Sequence, residues 1–279
     1  MSFAQYSSSD PPQAESREVD MITIIDYGMG NLRSVQKAFE KYYSNVVVSS
    51  SQKDIIKADK IILPGVGAFK VAMDELKKRD LIEPIKGSIE KGKPFLGICL
   101  GLQLLFSESE EGSPRFAGEA GGNVKGLDII KGKVKRFKEK DGLKIPHMGW
   151  NQIRTTTKGN PEPLGFARDK LRRGANDDQR KSREVPSGAR GAGSRNERPF
   201  DCAQGRRTTI LNGVVDGSYM YFVHSYYAAP EDKDVILCET DYGGNFTSGV
   251  CRDNVYGFQF HPEKSQAVGL KIVENFVDL

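Results

Sequence analysis

Apolar residues along this chain follow two rhythms. In the first hundred residues, short aliphatic runs alternate with stretches whose apolar positions recur every three or four residues. Met21 to Asp26 reads as a first strand, and Leu32, Val35, Phe39 and Tyr42 mark one face of a helix over about 31–42. Val46 to Val48 is a second short strand, and Lys60 to Leu63 a third, closed by Pro64-Gly65. Helical patterns at about 69–78 and 80–91 lead to a buried strand from Pro94 to Ile98. Such alternation predicts an α/β fold, a central and largely parallel sheet flanked by helices on both faces. Beyond Ile129 the pattern changes: Lys131–Phe137, Met220–Val223, Val235–Glu239, Thr247–Cys251 and Val255–Phe260 all read as strands, a β-rich second half. A helix from about Glu263 closes the chain, with Val268, Ile272, Val273 and Phe276 on its apolar face.

Two segments fall outside this plan. Residues 1–20 are rich in Ser and acidic residues and read as a disordered tail, leaving 21–279 as the folded domain. The stretch at about 158–207 is rich in Gly, Arg, Asp and Asn and poor in large apolar residues, which predicts a mostly disordered insertion. It carries 13 Lys/Arg against 7 Asp/Glu, so the chain's net charge of +4 belongs to this segment and the remainder is slightly acidic. Basic charge confined to one segment, without interleaved aromatics, is poor support for nucleic-acid binding. No apolar run approaches the ~20 residues needed to span a bilayer, and the N-terminal stretch lacks the apolar core of a secretory signal. The four cysteines, at 99, 202, 238 and 251, show neither metal-ligand spacing nor a disulfide framework. A reduced, cytoplasmic compartment fits that usage, with no metal and no cofactor expected.

The candidate chemistry centres on Gly97-Ile98-Cys99-Leu100-Gly101. A cysteine between small residues, after a buried strand and before Leu102-Gln103-Leu104-Leu105-Phe106, has the pattern of a nucleophile elbow, whose sharp turn pushes the side chain into a cleft. The N–H groups that open the following helix lie beside the sulfur and can favour a thiolate or bind an oxyanion. A small buried core thiol is the bland alternative. Near the C-terminus, Gly257-Phe258-Gln259-Phe260-His261-Pro262-Glu263 places His261 at a strand end, with Glu263 two residues on and able to orient the ring. Glu263 alone reads equally as an acidic residue in a helix's first turn. His147 and His224 are rival bases, ranked below His261 because neither has an adjacent carboxylate.

Together, Cys99, His261 and Glu263 resemble the triad of class I glutamine amidotransferases, whose flavodoxin-like fold agrees with the predicted elements. More narrowly, the chain resembles the glutaminase subunits of imidazole glycerol phosphate synthase. The stretches that carry the resemblance are Asp26-Tyr27-Gly28-Met29-Gly30-Asn31, Pro64-Gly65-Val66-Gly67, the elbow, Pro146-His147-Met148-Gly149-Trp150-Asn151, Tyr221-Phe222-Val223-His224-Ser225-Tyr226 and His261-Pro262-Glu263-Lys264-Ser265. They span about 21–154 and 209–279.

The resemblance implies hydrolysis of the glutamine side-chain amide through a glutamyl thioester. Leu100 N–H and a donor from the Val66-Gly67 segment would hold the oxyanion. Gly67, Gln103, Ser225 and Tyr226 would contact glutamine. Asn31, Trp150, Tyr221 and Lys264 match interface or gating positions toward a (β/α)8-barrel cyclase subunit, to which ammonia passes. The rival readings are the glutaminase of another synthase, of the anthranilate synthase type, and a non-catalytic scaffold that docks the cyclase. The His-Met-Gly-Trp-Asn run argues against the first, and the intact Cys99, His261 and Glu263 against the second.

Overall fold

Strands β1 (Ile22–Ile25), β3 (Lys60–Gly65), β4 (Phe95–Cys99) and β14 (Val255–Phe258) are buried almost throughout. Successive residues point to opposite faces, so Ile61 and Leu63 enter one apolar cluster while Ile62 enters the other. Such two-sided burial is what turns a strand into a continuous apolar run. The computed structural model describes residues 20–112, 123–139, 142–156 and 210–279. The tail expected at 1–20, apart from Asp20, and the insertion expected at about 158–207 lie outside those residues.

The chain alternates β1, α1 (Leu32–Phe39), β2 (Val46–Ser49), α2 (Gln52–Lys57), β3, α3 (Phe69–Lys78), α4 (Ile82–Glu90), β4 and α5 (Leu100–Leu104). It continues through β5 (Phe106–Ser109), β6 (Val124–Lys125), β7 (Ile130–Arg136), β8 (His147–Gln152) and β9 (Arg154–Thr155). Then follow β10 (Tyr219–His224), β11 (Tyr226–Pro230), β12 (Ile236–Asp241), β13 (Asn245–Arg252), β14 and the closing helix α6 (Gln266–Val277). The main sheet runs β2-β1-β3-β4-β14-β13-β11-β7-β5-β6, with β12 paired to β13 and to β9. Its β2-β1-β3-β4-β14 half is parallel; β13 pairs antiparallel with both β14 and β11, and β11 does so with β7. A separate antiparallel ribbon, β8–β10, stands off the sheet.

One topological fact positions the site. β4 lies between β3 and β14, with Gly65 beside Cys99 and Phe258 beside Ile98. The elbow after β4 and the residues after β14 are therefore neighbours, although 160 residues separate Cys99 from Gln259 along the chain. Helices α1 and α6 cover one face, where Phe39 and Phe276 meet edge to face at 6.1 Å. Helices α3 and α4 supply Phe69, Leu76 and Ile85 to the cluster on the other.

The expected α/β architecture stands, with corrections in detail. The closing helix begins at Gln266, because Pro262–Lys264 forms a separate 3-10 turn. β14 stops at Phe258, short of Phe260. Helix α5 has only five residues before Phe106 starts β5.

Candidate active site

Cys99 closes β4 with φ 55° and ψ −106°. A non-glycine residue at positive φ is held there by its surroundings. The hold comes from both sides: a Cβ on Gly97 would lie 2.7 Å from the carbonyl oxygen of Gly101, and one on Gly101 would overlap the carbonyl oxygen of Leu63. Only a chain without those side chains can turn from β4 into α5 at this point. Because α5 spans five residues, its dipole is weaker than the sequence pattern implied.

The imidazole of His261 approaches Glu263, with Nδ1 2.8 Å from Oε1 and both side chains almost wholly buried, 3 % and 2 % exposed. The Pro262–Lys264 turn folds the carboxylate back under the ring. Ser265 Oγ donates to the His261 carbonyl (2.6 Å) and accepts from Tyr221 N–H (3.0 Å), so the turn is tied to β10. The other ring nitrogen, Nε2, is buried and makes no hydrogen bond of ordinary geometry among the described residues. Burial, the largest influence on this imidazole, lowers its pKa; the Cys99 sulfur and the Glu263 carboxylate more than offset it and raise the value to about 10. The histidine is thus held as an imidazolium beside the Cys99 sulfur.

Gln259 is a residue that sequence reading passed over. Its Nε2 donates to Cys99 Sγ at 3.6 Å, and its Oε1 accepts from Gln103 Nε2 at 3.0 Å. Gln103 Nε2 also donates to the Tyr226 carbonyl at 2.9 Å. Both amide hydrogens of Gln103 therefore serve the protein itself, and Oε1 is the atom it can offer to a ligand.

A cleft of about 370 Å³ opens over the sulfur. The residues expected to hold the oxyanion (Val66, Gly67, Leu100) and the glutamine (Gly67, Gln103, Ser225, Tyr226) all line it. Glu111 does too, a second residue missed in the sequence. Its Oε2 accepts from the Phe69 N–H at the start of α3 (2.9 Å), and burial raises its pKa, opposed by that hydrogen bond. Among the described residues it is the one carboxylate in the lining.

Three of the four expected interface residues gather beside His261. On β8 the side chains alternate, with His147 buried while Met148 and Trp150 are exposed. Trp150 lies opposite Tyr221 on β10, ring to ring at 5.9 Å, and Lys264 Nζ sits 5.9 Å from the Tyr221 ring. Tyr221 in turn lies 6.4 Å from the His261 ring. Asn31 stands apart from this stack as the N-cap of α1, accepting from Ser34 N–H at 3.4 Å. His147 and His224, the rival bases, bond to each other at 2.9 Å, and burial lowers their pKa values to about 4 and about 3. Neutral and mutually engaged, they are poorly placed to take the Cys99 proton. Among the described residues, no cluster of His, Cys, Asp and Glu could hold a metal ion, and no helix is long and apolar enough to cross a membrane.

An elbow cysteine with a carboxylate-bound histidine just beyond the neighbouring parallel strand defines a class, and the comparisons agree. The family profile of class-I glutamine amidotransferases matches residues 23–279, and the chain belongs to that family. It is 44% identical over 93% of its length to the imidazole glycerol phosphate synthase subunit HisH of Syntrophotalea carbinolica, covering 100% of that protein. The subunit of the same name from Aquifex aeolicus is 43% identical over 91% of this chain and 94% of its own length. Two solved structures share the fold at low identity. One, of a glutamine amidotransferase, has a TM-score of 0.57 at 12% identity, with 92% and 97% of the two chains covered. The other, of PurLQS from Thermotoga maritima, has 0.55 at 15%, with 93% and 98% covered.

Proposed function

We propose that this class-I amidotransferase is the glutaminase subunit of an imidazole glycerol phosphate synthase, acting in the cytoplasm on glutamine. The observation that carries the chemistry is that Cys99, on its strained turn, lies beside His261, whose Nδ1 is in turn 2.8 Å from Glu263 Oε1 in a buried pair.

In this reading the Cys99 sulfur attacks the amide carbonyl carbon. His261 stands charged beside the sulfur, already holding the thiol proton, and gives it to the departing ammonia, while Glu263 holds the ring in its productive orientation and supports its charge. Leu100 N–H and a donor from the Val66-Gly67 segment receive the oxyanion. Water, activated by His261, then cleaves the glutamyl thioester to glutamate. Glu111 pairs with the substrate's α-ammonium group, and the backbone of Ser225-Tyr226 completes the pocket.

Ammonia released into water becomes ammonium and loses its nucleophilicity, so a synthase gains from a dry route. The outer face of the β8–β10 ribbon supplies a surface for one. Met148, Trp150 and Tyr219 are 65 %, 47 % and 57 % exposed there, and exposed apolar residues grouped in this way mark a contact face. We place the cyclase subunit on it, with Tyr221 and Lys264 between that face and the triad and Asn31 at its margin.

A glutamine-shaped diazoketone tests the nucleophile. The wild-type protein should acquire one adduct, mapped by peptide mass spectrometry to Cys99, and glutamine should protect against it. Labelling of another residue, or undiminished labelling of Cys99→Ala, would refute the assignment.

A further inference from the structure

The chain holds three histidines, and the proposed chemistry uses one. The other two, His147 and His224, face each other in register across the β8–β10 ribbon. His147 Nδ1 lies 2.9 Å from His224 Nε2. Their neighbours fix the protons. His224 Nδ1 is 2.8 Å from the Tyr226 carbonyl oxygen, which can only accept, so this nitrogen carries hydrogen. In the neutral ring Nε2 is then an acceptor, and His147 donates to it from Nδ1. That leaves His147 Nε2 to accept, and Asn151 Nδ2 meets it at 3.2 Å. Asn151 is itself anchored, donating to the Asp241 carbonyl at 2.9 Å. Burial keeps both rings neutral, as the scheme requires.

The line continues inward. The Tyr226 carbonyl accepts a second bond, from Gln103, which reaches Gln259, which reaches the Cys99 sulfur. Hydrogen bonds therefore run unbroken from Asn151, on the strand that exposes Met148 and Trp150, to the nucleophile. This is no proton wire, because the Tyr226 carbonyl accepts from both sides and has no proton to pass on. Position is what such a line can convey.

We propose that His147 and His224 are positioning residues that couple strand β8 to the glutamine cleft. The seat of β8 sets, through two directionally fixed imidazoles, the Tyr226 carbonyl and the Gln103–Gln259 pair against the sulfur. A partner pressing on the outer face of β8 thereby adjusts the cleft without touching it. The inference rests on the glutaminase reading given above.

The experiment uses the complex with the cyclase subunit and two substitutions. His147→Phe keeps the ring stacking against Phe222 (4.8 Å) and Tyr242 (3.9 Å) but abolishes both hydrogen bonds. His147→Asn retains a donor near the Nδ1 position. Loss of a buried hydrogen bond that orders the pocket should raise KM for glutamine about tenfold in His147→Phe, with a smaller fall in kcat, and His147→Asn should recover most of the loss. A wild-type KM in His147→Phe, or equal impairment in both variants, would overturn the proposal. A second measurement does not depend on the variants folding. In ¹⁵N-histidine spectra of unliganded Cys99→Ala, His147 and His224 should both appear as neutral Nδ1–H tautomers, and the His147 signals should move when glutamine is added. An Nε2–H tautomer at either residue, or an unmoved His147 in glutamine-saturated protein, refutes the relay. Absence of glutamine hydrolysis in the wild type, with the tautomers as stated, would instead count against the enzymatic reading.

Discussion

Gly101 has its backbone pressed against the carbonyl of Leu63, so closely that a Cβ at residue 101 would overlap that oxygen. The first turn of α5 can sit on β3 only because the residue after Leu100 has no side chain. Gly101→Ala must push α5 off the sheet or deform the end of β3, and the proposed oxyanion donors lie on α5 and on the Val66-Gly67 segment that follows β3. Overpacking of this kind destabilises by about 1–3 kcal/mol or more. A lowered urea midpoint together with reduced glutaminase activity is the expected result; unchanged stability would show that the elbow is looser than described.

The backbone at Cys99 gives a second expectation. At φ 55° and ψ −106° a side chain is strained and glycine is not. Cys99→Gly should therefore be more stable than Cys99→Ala, by roughly 1 kcal/mol, with both inactive. Alanine being the more stable of the two in thermal melts would remove the argument for strain at the nucleophile.

What could be read from the sequence, and what could not, follows from locality. β1, β3, β4 and β14 were legible because burial on both faces makes them continuous apolar runs. β8 and β11 were not, since His147, Trp150, Asn151, Tyr226 and Pro230 are a poor strand signature and β8 turns one face outward. Helix α2 was missed as a six-residue element with one buried residue, Ile55. Within the site, Cys99 announces itself through its flanking glycines, and His261 and Glu263 lie two residues apart. Gln259 and Glu111 gain their places only from chain pairing: Gln259 stands beside Cys99 because β14 joins β4, and Glu111 folds back 42 residues to the start of α3. No local pattern encodes either contact.

Stability should peak between two titrations of opposite sign. His147 and His224 have folded pKa values of about 4 and about 3, below the ordinary value near 6.5. Unfolding at low pH therefore takes up protons, and their contribution, full above about 6.5, is lost as pH falls toward those values. His261, raised to about 10, behaves in the reverse sense: its contribution is full below about 6.5 and is lost as pH rises through about 10. Urea midpoints measured from pH 4 to 10 should fall on both sides. His147→Phe should flatten the acid limb, and Cys99→Ala, which removes one of the groups raising His261, the alkaline limb. Acid limbs of equal slope in wild type and His147→Phe would contradict this assignment.

Glu111 offers a test of substrate orientation. Glu111→Gln keeps an oxygen for the Phe69 N–H but removes the charge facing the cleft. KM for glutamine should rise by an order of magnitude or more, as expected on losing a charge-assisted hydrogen bond worth about 1.5–3 kcal/mol, with kcat much less affected. A fall confined to kcat would place Glu111 in the chemistry and not in binding.

In the proposed function, Cys99, His261 and Glu263 hydrolyse glutamine for a partner docked on the β8–β10 face. The most direct measurement is glutamate release from glutamine by the wild-type chain, alone and with a cyclase subunit loaded with its phosphoribosyl-carboxamide substrate, beside Cys99→Ala under the same conditions. Strong stimulation by the loaded cyclase is expected, with no release from Cys99→Ala in either state. Release that survives the loss of Cys99, or none from a folded wild-type chain with the loaded partner bound, would contradict it.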